Sequence, residues 1–122
     1  VWNCTFDLEP ILSEELIKIL AEKYRLLILS DTNESHFEFI KENFRALSYF
    51  DDYVLSYRVG AAKPDPRIFR VAIEKANCLP EECFFTDDRE ANVEGAQKVG
   101  INAIQFTTAE KFYEDLQKLN LL

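Results

Sequence analysis

From Ser13 to Tyr24, apolar Leu16, Ile17, Ile19, Leu20 and Tyr24 recur at helical spacing behind a serine that two acidic residues follow. A serine side chain can accept backbone N–H bonds at a helix start, and acids in the first turn meet the positive end of the helix dipole. The segment is therefore predicted to be a helix. Leu26-Leu27-Ile28-Leu29 is apolar on both faces and runs into Ser30-Asp31-Thr32-Asn33. A strand buried on both sides in a parallel sheet reads this way, with a polar loop at its carboxyl end. A second helix is predicted over roughly Glu34 to Leu47, with Phe37, Ile40, Phe44 and Leu47 on one stripe.

Tyr53-Val54-Leu55-Ser56 reads as a short strand, followed by the loop Gly60-Ala61-Ala62-Lys63-Pro64-Asp65-Pro66. Two prolines forbid a continuing strand there, and Pro66 suits the first turn of a helix that runs to about Ala76 and carries Ile68, Phe69, Val71, Ala72 and Ile73. Glu82-Cys83-Phe84-Phe85-Thr86 is the next predicted strand, ending on Asp87-Asp88. Glu90 to Val99 is a predicted helix with Gly100 just past its end. Ile101 to Phe106 is a predicted strand, and Thr107-x-x-Glu110 reads as a capping box that opens the last helix.

Helices and strands thus alternate, with five helices and four strands predicted and no repeat, low-complexity stretch or internal linker. Such alternation implies an α/β domain, a parallel sheet with helices on both faces. Ligands of these sheets bind outside the carboxyl ends of the strands. That rule selects Ser30 to Asn33, the loop around Lys63, and Asp87-Asp88.

Composition narrows the picture. The chain has 122 residues, 48% hydrophobic and 30% charged, which suits one compact domain. Its 14 basic and 22 acidic residues give a formal charge of -8, which argues against nucleic acid or an anionic membrane as partner. No apolar run is long enough to span a bilayer, and no basic region precedes an apolar one at the start, so a soluble cytoplasmic protein is expected. Cys4, Cys78 and Cys83 form no zinc-ligand or C-x-x-C pattern and are expected to be reduced thiols partly in the core. The sequence contains no methionine and opens on Val1-Trp2-Asn3, which suggests part of a longer polypeptide.

A hydroxyl, an ammonium and two adjacent carboxylates brought from three strand ends to one crevice are the parts of a site for a phosphate bound with a divalent metal. Mg²⁺ requires hard oxygen ligands, which Asp87 and Asp88 can supply. Lys63 offers a point charge to phosphate oxygens, while the Ser30 hydroxyl and nearby backbone N–H groups can fix orientation. Taken singly, each residue has a plainer reading: a turn serine, a solvated lysine, a helix-capping acid beside an exposed neighbour. Their joint placement is what points to phosphate chemistry.

The strings Leu29-Ser30-Asp31-Thr32-Asn33-x-x-His36, Lys63-Pro64-Asp65-Pro66-Arg67-Ile68-Phe69 and Phe84-Phe85-Thr86-Asp87-Asp88-x-x-x-Asn92-Val93-Glu94-Gly95-Ala96 resemble motifs II, III and IV of the haloacid dehalogenase-like (HAD) superfamily. Within it, the branch with glucose-1-phosphatase-like enzymes looks most similar. The resemblance implies a Rossmannoid three-layer sandwich and a Mg²⁺-dependent phosphomonoesterase acting on a small-molecule phosphate ester, such as a sugar phosphate, through an aspartyl-phosphate. It implies that Ser30, with Asp31 and Thr32, binds the substrate phosphate, that Lys63 stabilises the phosphoaspartate, and that Asp88 holds Mg²⁺ directly, with Asp87 either a weaker ligand or a group that supports the metal's ligands from behind. Asp31 departs from the pattern, since relatives commonly carry asparagine there. His36 is also histidine in some relatives and reads equally well as an ordinary helix-face residue.

HAD phosphatases attack with the first Asp of a D-x-D motif that ends the central strand, and this chain has no D-x-D. Asp7-Leu8-Glu9 is the nearest match, but it leaves no room before Ser13 for the turn and flap that follow this motif in relatives. Trp2-x-x-x-Phe6 instead resembles the last helix of an inserted cap, so residues 1–12 read as the end of the cap with a linker and residues 13–122 as the core. The nucleophile strand and most of the cap are therefore expected outside this chain, leaving two half-sheets with unpaired edges. The segment alone is expected to fold poorly and to be inactive. A non-catalytic HAD-fold binding or scaffold domain is the alternative. A metal-independent dehalogenase fits the paired acids less well.

Overall fold

The computed structural model describes residues 13–122. The expectations for Cys4, Asp7 and the cap helix lie outside these residues. The first helix, α1, spans Glu14–Lys23 and starts where predicted, with the Ser13 side chain accepting the backbone N–H of Leu16. Ile17 and Leu20 form its buried face. Strand β1, Leu27–Ser30, follows.

Helix α2 spans Glu34–Asn43, capped by Asn33, whose Oδ1 accepts the N–H of His36. It stops short of the predicted Leu47. Phe44 is extended (φ -120°, ψ 103°), and the chain re-enters as a 3-10 turn over Arg45–Tyr49. The break resets the helical phase, so Leu47 and Phe50 enter the core while Phe44 stays exposed, not on a common stripe with Leu47. A helix uninterrupted to Leu47 could not make that switch.

Strand β2, Asp52–Leu55, pairs in parallel with β1 from Leu27 opposite Asp52 to Ser30 opposite Leu55. The entrance to the pair is pinned by two bonds of 2.8 Å, from Leu26 N–H to Asp51 Oδ2 and from Asp51 N–H to the Leu26 carbonyl. Ser56, predicted to extend this strand, instead opens the short helix α3, Ser56–Val59, which Gly60 ends in the left-handed region (φ 80°). This sixth helix has no side-chain cap and no buried residue, and one turn without an apolar stripe leaves no periodic signal in a sequence.

Helix α4, Pro66–Ala76, has the predicted bounds, with Asp65 as N-cap and Pro66 at its first position. A 3-10 turn, Pro80–Glu82, leads into β3, Phe84–Asp87. Helix α5, Glu90–Lys98, is followed by Gly100 at φ 91°. Strand β4, Asn102–Gln105, pairs in parallel with β3, Phe84 opposite Asn102 and Asp87 opposite Gln105. The last helix, α6, spans Ala109–Lys118. Its cap is Thr108, not Thr107: the Thr108 hydroxyl accepts the N–H of Lys111 at 3.1 Å.

Among the described residues the strands form two separate pairs, β1 with β2 and β3 with β4. Both pairs contribute to the same two cores. On one face Leu26, Ile28 and Phe84 pack with Ile17 and Leu20 of α1 and Phe112 and Leu116 of α6. On the other, Leu27, Leu29, Cys83 and Phe85 pack with Ile68, Phe69 and Ala72 of α4 and Ala96 of α5. Successive strand residues thus serve opposite faces, which explains why Leu26 to Leu29 are apolar without interruption. A fully buried Leu or Phe contributes about 1.5–3 kcal/mol, so these layers hold the strand pairs side by side. The fold is α/β, with helices on both sides of parallel strands. No helix among the described residues is long and apolar enough to cross a membrane.

The position of the last cap can be tested. Thr108→Ala is expected to destabilise the folded protein by about 1 kcal/mol in urea denaturation, and Thr107→Ala by less than about 0.5 kcal/mol. Equal effects would place the cap wrongly.

Candidate active site

The carboxyl ends of β1 and β3 and the loop before α4 converge on a polar cavity of about 160 Å³ lined by Asp31, Lys63, Asp87, Asp88, Arg89 and Asn92. Lys63 and Asp87 meet at its floor. The Lys63 Nζ donates to Asp87 Oδ2 at 2.7 Å, and both side chains are almost wholly buried, 5% and 3% exposed. The ammonium also lies 6.0 Å from the centre of the Phe85 ring.

Burying two charges costs several kcal/mol per ion unless hydrogen bonds fill the remaining lone pairs and protons. Around Asp87 they do. Its Oδ2 also accepts the Asn92 side-chain amide at 3.1 Å, and its Oδ1 accepts the backbone N–H of Arg89 at 2.8 Å. Arg89, the N-cap of α5, has no side-chain cap bond of its own, so the Asp87 carboxylate satisfies one exposed donor at that helix start. The Asp87 carbonyl accepts from Phe106 N–H at 2.8 Å, tying the same residue to the end of β4.

The Lys63 loop is held from the β1 side. Asp31 Oδ1 accepts the Lys63 backbone N–H at 2.9 Å, and an Asp65 N–H bond to the Ala62 carbonyl at 2.8 Å closes the turn. The Lys63–Pro64 peptide bond is cis. Beyond it, the Asp65 carboxylate accepts from the Arg67 side chain and backbone N–H, which together hold its pKa down at about 2. A second clasp joins the β1 and β2 loops: Thr32 N–H donates to Ser56 Oγ at 2.9 Å, and the Ser56 hydroxyl donates to the Thr32 carbonyl at 3.0 Å. On the core side of β2, burial and the neighbouring Asp52 charge push the Tyr53 hydroxyl pKa up.

Of the residues singled out from the sequence, Lys63, Asp87, Asp88 and Asp31 share the cavity. Ser30 and Thr32 stand on the same strand end but do not line it, and Thr32 makes backbone contacts to Ser56. His36 is exposed, with its backbone N–H bonded to Asn33, and is not in the lining. The two acids differ sharply. Asp87 has both oxygens occupied by donors, while Asp88 is exposed and its carboxylate has no hydrogen bond or ion pair among the described residues. Its backbone carbonyl accepts from Gln105 Nε2 at 3.0 Å.

Two lining residues, Arg89 and Asn92, were not singled out as site residues from the sequence. Asn92 sits one helical turn past Asp88 and is buried. Its place four residues after Asp88 in the third motif string was the available signal. Arg89 adjoins the acids directly and had no comparable signal.

For a divalent metal, the donor set fits in part. No group of three or more His, Cys, Asp or Glu side chains among the described residues could hold one. Mg²⁺, however, commonly takes one or two carboxylates with phosphate and water oxygens, and Asp88 offers an exposed carboxylate at the cavity rim.

Helix α5 reaches the Lys63 loop through Gly95. A Cβ there would lie 2.9 Å from Pro64 Cβ, 3.0 Å from the Pro64 carbonyl oxygen and 3.1 Å from Phe69 Cε2. Alanine favours a helix over glycine by about 1 kcal/mol, whereas overpacking costs about 1–3 kcal/mol. Because the contacted atoms include backbone, the clash should win. Gly95→Ala is expected to lower stability in urea denaturation; a gain would show that the loop can give way.

The model of the haloacid dehalogenase-like hydrolases matches residues 9–100. D-ribitol-5-phosphate phosphatase of Bacteroides thetaiotaomicron is 32% identical over 92 residues, covering 70% of this chain and 45% of that protein. Acyl-CoA dehydrogenase family member 10 of Mus musculus is 31% identical over 112 residues, covering 90% of this chain and 10% of that protein. The chain thus spans less than half the length of either relative. A solved HAD family enzyme from Bacteroides thetaiotaomicron, in complex with magnesium and inorganic phosphate, superposes with a TM-score of 0.70 at 37% identity, over 77% of this chain and 50% of that one. With that family model matched over three quarters of its residues, the chain belongs to the haloacid dehalogenase-like hydrolases.

Proposed function

We propose that the protein carrying this segment is a Mg²⁺-dependent phosphomonoesterase that acts on a small phosphorylated metabolite, a sugar or sugar-alcohol phosphate, through an aspartyl-phosphate. The observation that carries the reading is the buried Lys63–Asp87 pair at 2.7 Å beside the exposed carboxylate of Asp88. A relative named as a ribitol phosphate phosphatase and a similar structure with magnesium and phosphate bound support the same chemistry.

Phosphoryl transfer depends mainly on positioning and on electrostatic stabilisation of the transferred group. Lys63 supplies a cation whose position is fixed by Asp87, so little reorganisation is needed as negative charge develops on phosphate oxygens. Asp87 serves as the anchor for that cation and for the start of α5. Asp88, together with phosphate and water oxygens, would hold Mg²⁺, which would supply charge neutralisation at the phosphate. Asp31 lines the cavity and fixes the Lys63 backbone, and Ser30 and Thr32, on the same strand end, would help to orient the phosphate.

The attacking carboxylate in this reading comes from outside this chain, on a strand that pairs with the edges of β1 and β3. Two strand pairs that share both helical layers support such an insertion. A cytoplasmic location suits a phosphorylated metabolite as substrate.

Assay of the full-length protein on a panel of phosphate monoesters is expected to show hydrolysis that EDTA abolishes and Mg²⁺ restores. Asp88→Asn should reduce kcat by about 100-fold or more, and Asp7→Asn should leave it unchanged. No turnover on any ester would favour a non-catalytic binding domain. Loss of turnover in Asp7→Asn would place the nucleophile within this chain.

A further inference from the structure

Cys78 and Cys83 lie at the far end of the unit that carries Lys63 and Asp87. Helix α4 leaves the Lys63 loop and ends at Asn77, in the left-handed conformation (φ 55°), immediately before Cys78. Cys83 stands at the entrance to β3, whose last residue is Asp87. The two sulfurs are 2.9 Å apart. That is closer than unbonded sulfurs ordinarily approach and longer than the ~2.05 Å of a disulfide bond.

The intervening turn holds them there. Glu82 N–H donates to the Leu79 carbonyl at 2.9 Å, Cys83 N–H to the Pro80 carbonyl at 3.0 Å, and Leu79 N–H to Glu82 Oε1 at 3.1 Å. The Cys83 thiol also lies 3.5 Å from the Leu79 carbonyl oxygen. Two sulfurs fixed face to face need no backbone search to join. Two sulfurs alone do not make a metal centre, and no group of three or more metal-ligating side chains occurs among the described residues.

We infer that Cys78 and Cys83 are an oxidation site that forms a reversible disulfide by exchange with a low-molecular-weight disulfide. Burial sets the order of events. Cys83 is fully buried and Cys78 is half-buried, so the incoming disulfide meets Cys78 first. The Cys78 thiolate attacks one sulfur of the small disulfide, whose S–S bond breaks, and the departing thiolate takes up the proton that Cys78 gave to solvent. Cys83, as thiolate, then attacks the Cys78 sulfur of the mixed disulfide and expels the second small thiol, which is protonated in turn. Both protein sulfurs are oxidised, and the small disulfide is reduced to two thiols. The new bond joins the end of α4 to the start of β3, at the ends remote from Lys63 and Asp87.

The test uses the native full-length protein, incubated with oxidised glutathione, alkylated, digested and analysed by mass spectrometry. The expected result is loss of alkylation at both Cys78 and Cys83, a linked peptide containing the two, and full recovery of both thiols on adding dithiothreitol. Cys4→Ser should leave the link intact and Cys78→Ser should abolish it. Because Cys83→Ser alters the core, the wild-type peptide map is decisive by itself. A stable glutathione adduct on Cys78 with Cys83 still alkylated, a link to Cys4, or oxidation only in denaturant would overturn the inference.

Discussion

The ion pair between Lys63 and Asp87 is the interaction on which the site depends. Neither side chain keeps appreciable contact with water, so each charge relies on the other and on the donors and acceptors packed around them. Much of the local structure can be understood as meeting that requirement. Asp31 fixes the Lys63 backbone, Asn92 and the start of α5 fill the lone pairs of Asp87, and the bare backbone of Gly95 lets α5 approach the loop. A pair held this firmly presents an ammonium whose position is set before any ligand arrives.

The pair also divides the labour between the adjacent acids. Asp87, the last residue of β3, is committed to the protein, while Asp88, the first residue past the strand, stays exposed at the same cavity. This split gives a physical reason for two consecutive acids: one fixes the cation, and the other is available to a ligand. The strand pairs show the same economy, since each serves both helical layers.

Much of this was legible in the sequence. Continuous apolar runs located β1 and β3, Pro66 fixed the start of α4, and the rule for parallel sheets gathered Lys63, Asp87 and Asp88 from distant positions. What escaped was local. The break at Phe44 follows from packing of Leu47 and Phe50, which periodicity along α2 does not register. Thr107 and Thr108 are chemically equivalent caps, and only backbone geometry chooses between them. The cavity contacts of Arg89 and Asn92, and the meeting of Cys78 with Cys83, depend on where α5 and the turn after α4 settle in three dimensions.

A double-mutant cycle tests the central claim most directly. Lys63→Met, Asp87→Leu and the double variant would be compared with wild type by urea denaturation of the full-length protein. If the pair organises the site, each single variant leaves a buried charge without its partner and loses about 3–5 kcal/mol. The double variant then loses clearly less than the sum of the two. Strictly additive losses would mean that Lys63 and Asp87 act independently, and the account built on their pairing would fail.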